Sequence, residues 1–463
     1  MKMAPPSSQV SFTVKRQEPR LILPAKPTPS EVKQLSDLDD QEGLRFHMPF
    51  IAFFRNTNKK GGNGTYPDPV KVIRDALAHA LVCYYPLAGR LKEGDSRKLM
   101  VDCTGELGVL FIEADADITL EHLGDAIQPP CPYLEHFLYD IPGSSGIIGC
   151  PLMLIQVTRL TCGGFIVAAR VNHTMTDALG IFYFLNTIGE IARGANEPSY
   201  RPVWKREILN ARDPPRVTCV HHEYDTTVGT EATMDTHADL IDKSFFFGFQ
   251  EIDCIRKHLP SHLQSSSTFE VLIACIWKCR TIAIEHNPNE MLRVSYMVGA
   301  GGKRGIKLPP GYYGNAYAMP SAISKAELVC KNPLGYALEL VRKIKTQMSE
   351  EYIRSVADYM VIKGRPHYST AGHFIVADSS RVPFREIDFG WGKPVYAGVA
   401  KAAPNTSFCV RFKKSTGEDG ILIQMSLPLQ AMDKFQKELA KFTGERPMHV
   451  SGDKKHTIFK SML

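Results

Sequence analysis

Four histidines in this sequence are each followed, four residues on, by an aspartate: His136 and Asp140, His173 and Asp177, His221 and Asp225, His449 and Asp453. Histidine is the side chain whose ordinary titration lies nearest neutrality, so its neutral ring can take a proton from an alcohol or an amine. The spacing alone favours none of the four; their surroundings do. Only His173 follows a clear hairpin, in which Leu154–Leu160 and Phe165–Val171 are joined through Cys162-Gly163-Gly164. Only His173 then leads into a long helical pattern, with Ala178, Ile181, Leu185 and Ile188 at spacings of three and four. A histidine at such a strand-to-helix junction can be held at a domain surface with its ring facing a cleft, as a general base requires. The other three pairs read as solvated or structural.

Other residues of chemical interest carry less. His221-His222-Glu223 contains metal-ligating types, but no further ligands stand at zinc-like spacing, and no metal site is expected. Cys275 and Cys279 lie four apart in an apolar helical pattern and read as core thiols. Neither Gly-x-Gly-x-x-Gly after a strand nor a P-loop is present, so nucleotide-phosphate binding of those kinds has no support. The run Asp388-Phe389-Gly390-Trp391-Gly392 sets two glycines around an indole and reads as a tight structural turn with a buried aromatic.

The elements that must position His173 follow from the patterning. A strand is expected around Ser11–Val14, then a Pro-rich connector, and a mobile loop at Asn58–Gly64. Asp68 is an N-cap with Pro69 in the first turn of a helix whose apolar face is Val70, Ile73, Leu77 and Leu81. Residues 201–242, rich in Pro, Thr, Asp and His, read as a long surface crossing between residues 1–200 and 243–463. The second half opens with a strand at Ser244–Phe247. A helix near 268–284 follows, with Ser267 and Glu270 as a capping box, then helices near 333–348 and 350–362. A last hairpin, Phe408–Phe412 with Ile421–Met425, precedes a helix presenting Met432, Phe435, Leu439 and Phe442. Each half mixes strands and helices without strict alternation. Two α+β domains of similar size sharing a cleft are the expected architecture.

Composition narrows the function. The 463 residues are 44% hydrophobic and 22% charged, ordinary for a soluble globular protein. No apolar run reaches the ~18 residues that span a bilayer, and no membrane association is expected. Eleven scattered cysteines form no disulfide framework and suit a reducing compartment. A net charge of +6, without a basic block, argues against nucleic-acid binding.

His173-x-x-x-Asp177 and Asp388-Phe389-Gly390-Trp391-Gly392, in that order and in separate halves, the first in the domain of residues 1–200 and the second in that of residues 243–463, resemble the two signature motifs of the plant BAHD acyltransferases. The resemblance runs over essentially the whole chain. Asp39–Phe46, Pro86–Leu91 and Gly311–Ala316 resemble the alcohol-acylating branch, nearest to benzoyl-CoA:benzyl alcohol benzoyltransferases and fruit-ester alcohol acyltransferases. This resemblance implies two chloramphenicol-acetyltransferase-like domains with a solvent channel between them. It implies a monomeric acyl-CoA-dependent alcohol O-acyltransferase with His173 as catalytic base, Asp177 supporting the catalytic loop, and the Asp388–Gly392 run as structure. Benzoyl-CoA and benzyl alcohol or a similar small alcohol are the implied substrates. A larger alkaloid or terpenoid acceptor, or a binding protein that kept the fold without catalysis, are the alternatives. Acyl-CoA is a co-substrate, and no separate cofactor is implied.

One departure matters. The family usually pairs the motif aspartate with the arginine of a Val-Asn-x-Arg run, but here Gly299 and Gly301 occupy the Asn and Arg places. The expectation is that Lys303 or Arg304 reaches Asp177 from a shifted loop, or that Asp177 is left as a costly buried carboxylate. The final Ser461-Met462-Leu463 resembles a peroxisomal address, so a cytoplasmic or peroxisomal location is expected.

Overall fold

The computed structural model describes residues 10–56, 67–105, 107–226, 240–301, 305–401, 405–414 and 416–444, with the backbone of 449–450 and without the side chains of 125–126. The loop expected at Asn58–Gly64, Lys303 and Arg304, the Asp453 partner of His449, and Ser461-Met462-Leu463 all lie outside these residues. The chain divides into two compact units. The first comprises Met1–Asn210, Leu308–Asn315 and Val382–Ala400; the second comprises Ala211–Lys307, Ala316–Arg381 and Lys401–Leu463.

The first unit is organised by the hairpin expected before His173. Met153–Leu160 pairs antiparallel with Phe165–Asn172, which pairs antiparallel with His47–Phe54 on its other side. All eight residues of Phe165–Asn172 are buried, as a strand covered on both faces must be. Val109–Ala116 runs parallel to Met153–Leu160, a long-range pairing that no local pattern announces. The helix Pro69–Cys83 starts as expected, with the Asp68 carboxylate accepting from the Val70 N–H, and buries Val70, Ile73, Leu77 and Leu81. It packs with the helix Ala178–Ala192 in one apolar core.

Two differences from the sequence reading have clear causes. The Asp388–Gly392 run, late in the chain, belongs to the first unit, because the nearby strand Tyr396–Val399 pairs with the edge of His47–Phe54. The stretch after residue 200 is not confined to the surface. Arg206 and Leu209 are each 1% exposed, because the Arg206 guanidinium is tied into the first unit by an ion pair.

The second unit has its own sheet, ordered Ser321–Lys325, Met291–Tyr296, His373–Asp378, Thr406–Lys413, Asp419–Pro428, Leu240–Phe247 and His449–Val450. Its first described strand starts at Leu240, four residues earlier than the apolar run suggested. The helix Thr268–Ile284 carries the expected capping box and packs against Leu334–Gln347 and Leu429–Thr443. Cys275 and Cys279 sit in that core. The two units thus have the α+β class that was expected.

Histidines are buried in both units. His47 and His373 are driven down to about 4, in each case by burial first. Burial, with the charges of Arg293 and Arg280, keeps the imidazole of His373 neutral against the opposing pull of the Ser369 carbonyl, and the buried Ser295 hydroxyl lies 2.6 Å from its Nε2. Below the ordinary histidine value of 6.5 the unfolded chain takes protons that these folded rings refuse. Stability present in full above pH 6.5 is therefore lost as the pH falls toward 4, by up to roughly 3 kcal/mol for each ring. Urea unfolding followed by circular dichroism should give a lower midpoint at pH 5 than at pH 7. Equal midpoints would mean that the native rings are solvated.

Candidate active site

Asn172 ends the central strand, and its side-chain oxygen accepts from the Thr174 N–H at 3.1 Å and the Thr174 hydroxyl at 2.7 Å. That cap starts the single 3-10 turn His173–Met175. The His173 N–H donates to the Phe46 carbonyl at 2.8 Å, and its ring lies 5.1 Å from the Phe46 ring. Asp177 then begins the helix Ala178–Ala192, accepting from the N–H groups of Leu179 and Gly180 at 3.0 Å each. Its carboxylate is partly exposed and engaged as a helix cap, which corrects the expectation of a costly buried charge.

His173 is 8% exposed, and its ring Nδ1 lies 3.1 Å from Oδ1 of Asn315, 142 residues away. The amide orientation of Asn315 is set by its neighbours. Its Nδ2 donates to the His173 carbonyl at 2.8 Å and to Oδ1 of Asp39 at 3.0 Å. A reversed amide would aim its oxygen at two other oxygens, so Oδ1 faces the ring and must accept. The hydrogen therefore sits on Nδ1 of His173, and Nε2 carries the lone pair. Burial lowers the His173 titration below its ordinary value, and the contact with Asn315 and the charge of Asp39 oppose that shift only in part. A neutral ring with a basic Nε2 can accept a proton from a hydroxyl.

Asp39 is fully buried. Its Oδ1 also accepts from the Asn315 N–H at 2.8 Å and from Nη1 of Arg206 at 2.7 Å, while Oδ2 accepts from the Ser36 N–H and hydroxyl. Arg206 donates through Nη2 to the Met175 carbonyl at 2.7 Å and stacks 4.5 Å from the Trp204 ring. Sequence reading placed Asp39 and Asn315 only within longer resembling runs and gave Arg206 no role. Their signal is contact between distant segments, which spacing does not carry.

The other sequence candidates lie elsewhere. Asp388 uses Oδ1 to accept from the N–H groups of Gly390 at 2.7 Å and Gly392 at 2.9 Å. Both glycines have positive φ, 107° and 91°. Phe389 and Trp391 pack edge-on against Phe54 and Phe165, each 5.3 Å between centroids. The loop is thus structural in its contacts, and it touches the far end of the helix Ala178–Ala192, where Arg193 donates to the Asp388 carbonyl. Asp388→Ala should cost about 1–3 kcal/mol in urea unfolding while kcat stays within about threefold. A large kcat loss at unchanged stability would contradict that. His221 bonds to Glu223 and Ser355 inside the second unit, and Asp140 pairs with Arg170. Among the described residues no group of His, Cys, Asp and Glu could hold a metal ion, and no helix is long and apolar enough to cross a membrane.

Comparison with known proteins places the chain in a family. The family described as the transferase family matches residues 12–442. The chain is 57% identical over 438 residues to benzyl alcohol O-benzoyltransferase of Petunia hybrida, covering 94% of each protein. It is 56% identical over 456 residues to alcohol acyl transferase 1 allele GSa of Malus domestica, covering 97% of this chain and 98% of the relative. Among solved structures, vinorine synthase aligns with a TM-score of 0.70 at 23% identity, over 94% of this chain and 99% of its own. TRI101 of F. graminearum, solved with coenzyme A and deoxynivalenol, aligns with a TM-score of 0.70 at 17% identity, over 89% of this chain and 99% of its own. These structural likenesses show the fold. Matched along most of its length, the chain belongs to the transferase family, the BAHD acyltransferases.

Proposed function

We propose that the protein transfers an acyl group from an acyl-CoA thioester to an alcohol, with His173 as general base, and that benzoyl-CoA and benzyl alcohol or a similar small alcohol are its substrates. The observation that carries the reading is the hydrogen bond between Nδ1 of His173 and Oδ1 of Asn315, which directs the basic lone pair to Nε2. The names of the 57% and 56% identical relatives support the substrate class. Nε2 takes the hydroxyl proton as the alcohol oxygen attacks the thioester carbonyl. The tetrahedral intermediate collapses with cleavage of the carbon–sulfur bond, and the imidazolium returns the proton to the departing thiolate. The products are an ester and free coenzyme A.

Direct transfer suits this arrangement. The ring meets Asn315 and Phe46, and neither side chain can serve as an acyl acceptor. Asp177 supports the loop by holding the start of the next helix. The test is release of free thiol in a matrix of benzoyl-CoA and acetyl-CoA against benzyl alcohol, short aliphatic alcohols and bulkier polycyclic alcohols. Benzoyl-CoA with benzyl alcohol should give the highest kcat/KM. Folded protein that releases no thiol with any pair would overturn the reading.

A further inference from the structure

We propose that Asp39 and Arg206 form a positioning pair that acts through Asn315 to fix the tautomer and orientation of His173. The inference rests on the reading of His173 as the base and extends it to two residues that do not touch the ring.

The geometry is continuous. Arg206 holds one oxygen of Asp39 at 2.7 Å, and that same oxygen receives both the backbone and side-chain N–H groups of Asn315. Asn315 in turn meets both the ring and the carbonyl of His173. Arg206 also grips the Met175 carbonyl, two residues beyond His173, so the pair holds the turn from both sides. Asp39 and Arg206 are 0% and 1% exposed, which shields their charges from water and makes each count on its neighbours. When the ring gains a proton during transfer, the carboxylate lies one amide away from the new positive charge, with the guanidinium behind it.

Removing either charge unbalances the pair in opposite senses. Asp39→Asn leaves a buried guanidinium that disfavours the imidazolium. Arg206→Met leaves a buried carboxylate that favours it. Other titratable or charged groups surround this loop: Tyr312 and Tyr313 from the 308–315 segment, Asp177 at the helix start, and His47 opposite Asn172, with Arg170 and Asp140 beside it. Both substitutions leave these in place.

The experiment titrates His173 by NMR in histidine-labelled full-length protein, with the resonance assigned by its absence in His173→Gln. Thiol release is followed in parallel. The expected result is a lower titration midpoint in Asp39→Asn, a higher one in Arg206→Met, and an intermediate one in the double variant. Loss of roughly 10- to 100-fold in kcat should accompany Asp39→Asn. Folded single variants that keep the wild-type midpoint, changed only in thermal stability, would overturn the proposal. Should a single variant fail to fold, the double variant decides: a folded double variant with kcat reduced by that factor supports the pair's role, and one with wild-type kcat overturns it. Wild-type protein that releases no thiol would sink the reaction proposed above, while the NMR titration still reports on the pair.

Discussion

His173→Ala should lower kcat by about 10²–10⁴-fold, the contribution of a positioned general base. The fold should persist, because the backbone N–H of residue 173 still reaches the Phe46 carbonyl and Asn172 still caps the turn. The cost in stability is roughly 1–3 kcal/mol, for an Asn315 oxygen left facing a void. Circular dichroism and steady-state thiol release separate the two effects. Wild-type kcat/KM should be flat above pH 6.5 and fall below it, because burial keeps the ring's titration under that ordinary value. An acidic limb above pH 7, or an alanine variant with near-normal turnover, would remove His173 from the chemistry.

Gly180→Ala should destabilise the protein by roughly 1–3 kcal/mol and lower kcat by tens of fold. Helix propensity alone predicts the reverse, since alanine is favoured over glycine inside a helix by about 1 kcal/mol. Packing decides the sign. A methyl at Gly180 would run into the Thr176 hydroxyl and the backbone carbonyl of Tyr313. A side-chain hydroxyl can rotate away, but a main-chain carbonyl cannot. The helix Ala178–Ala192 must then move off the 308–315 segment, and Asn315 lies two residues beyond Tyr313. The bond between Asn315 and His173 stretches as a result. Urea unfolding gives the first effect and thiol release the second. A variant more stable than wild type would show that the segment yields freely.

Local chemistry in the sequence reached as far as single elements. The Asp68 cap with the Val70, Ile73, Leu77 and Leu81 face, the hairpin before His173 and the Ser267–Glu270 box are set by neighbours a few residues apart, and the structure has them. Periodicity has nothing to say about partners far away in sequence. The pairing of Val109–Ala116 with Met153–Leu160, the seat of Tyr396–Val399 beside His47–Phe54, and the contacts of Asp39 with Asn315 depend on which segments the folded chain brings together. Arg206 was hidden for a related reason. A cation in a Pro- and Thr-rich stretch reads as solvated until its buried counter-charge is known. The candidate site was legible at His173 and illegible at Asn315, Asp39 and Arg206 behind it.

The first unit draws residues 308–315 and 382–400 from the far half of the polypeptide. During synthesis, the ribosome must pass residue 400 before Phe50–Phe53 gain Tyr396–Val399 along their open side. Until then that row of unsatisfied amides and carbonyls is a template for any other growing chain. Completion of the amino-terminal half is thus a late event in biogenesis, and a nascent fragment stalled after Asn210 is a candidate client for chaperones.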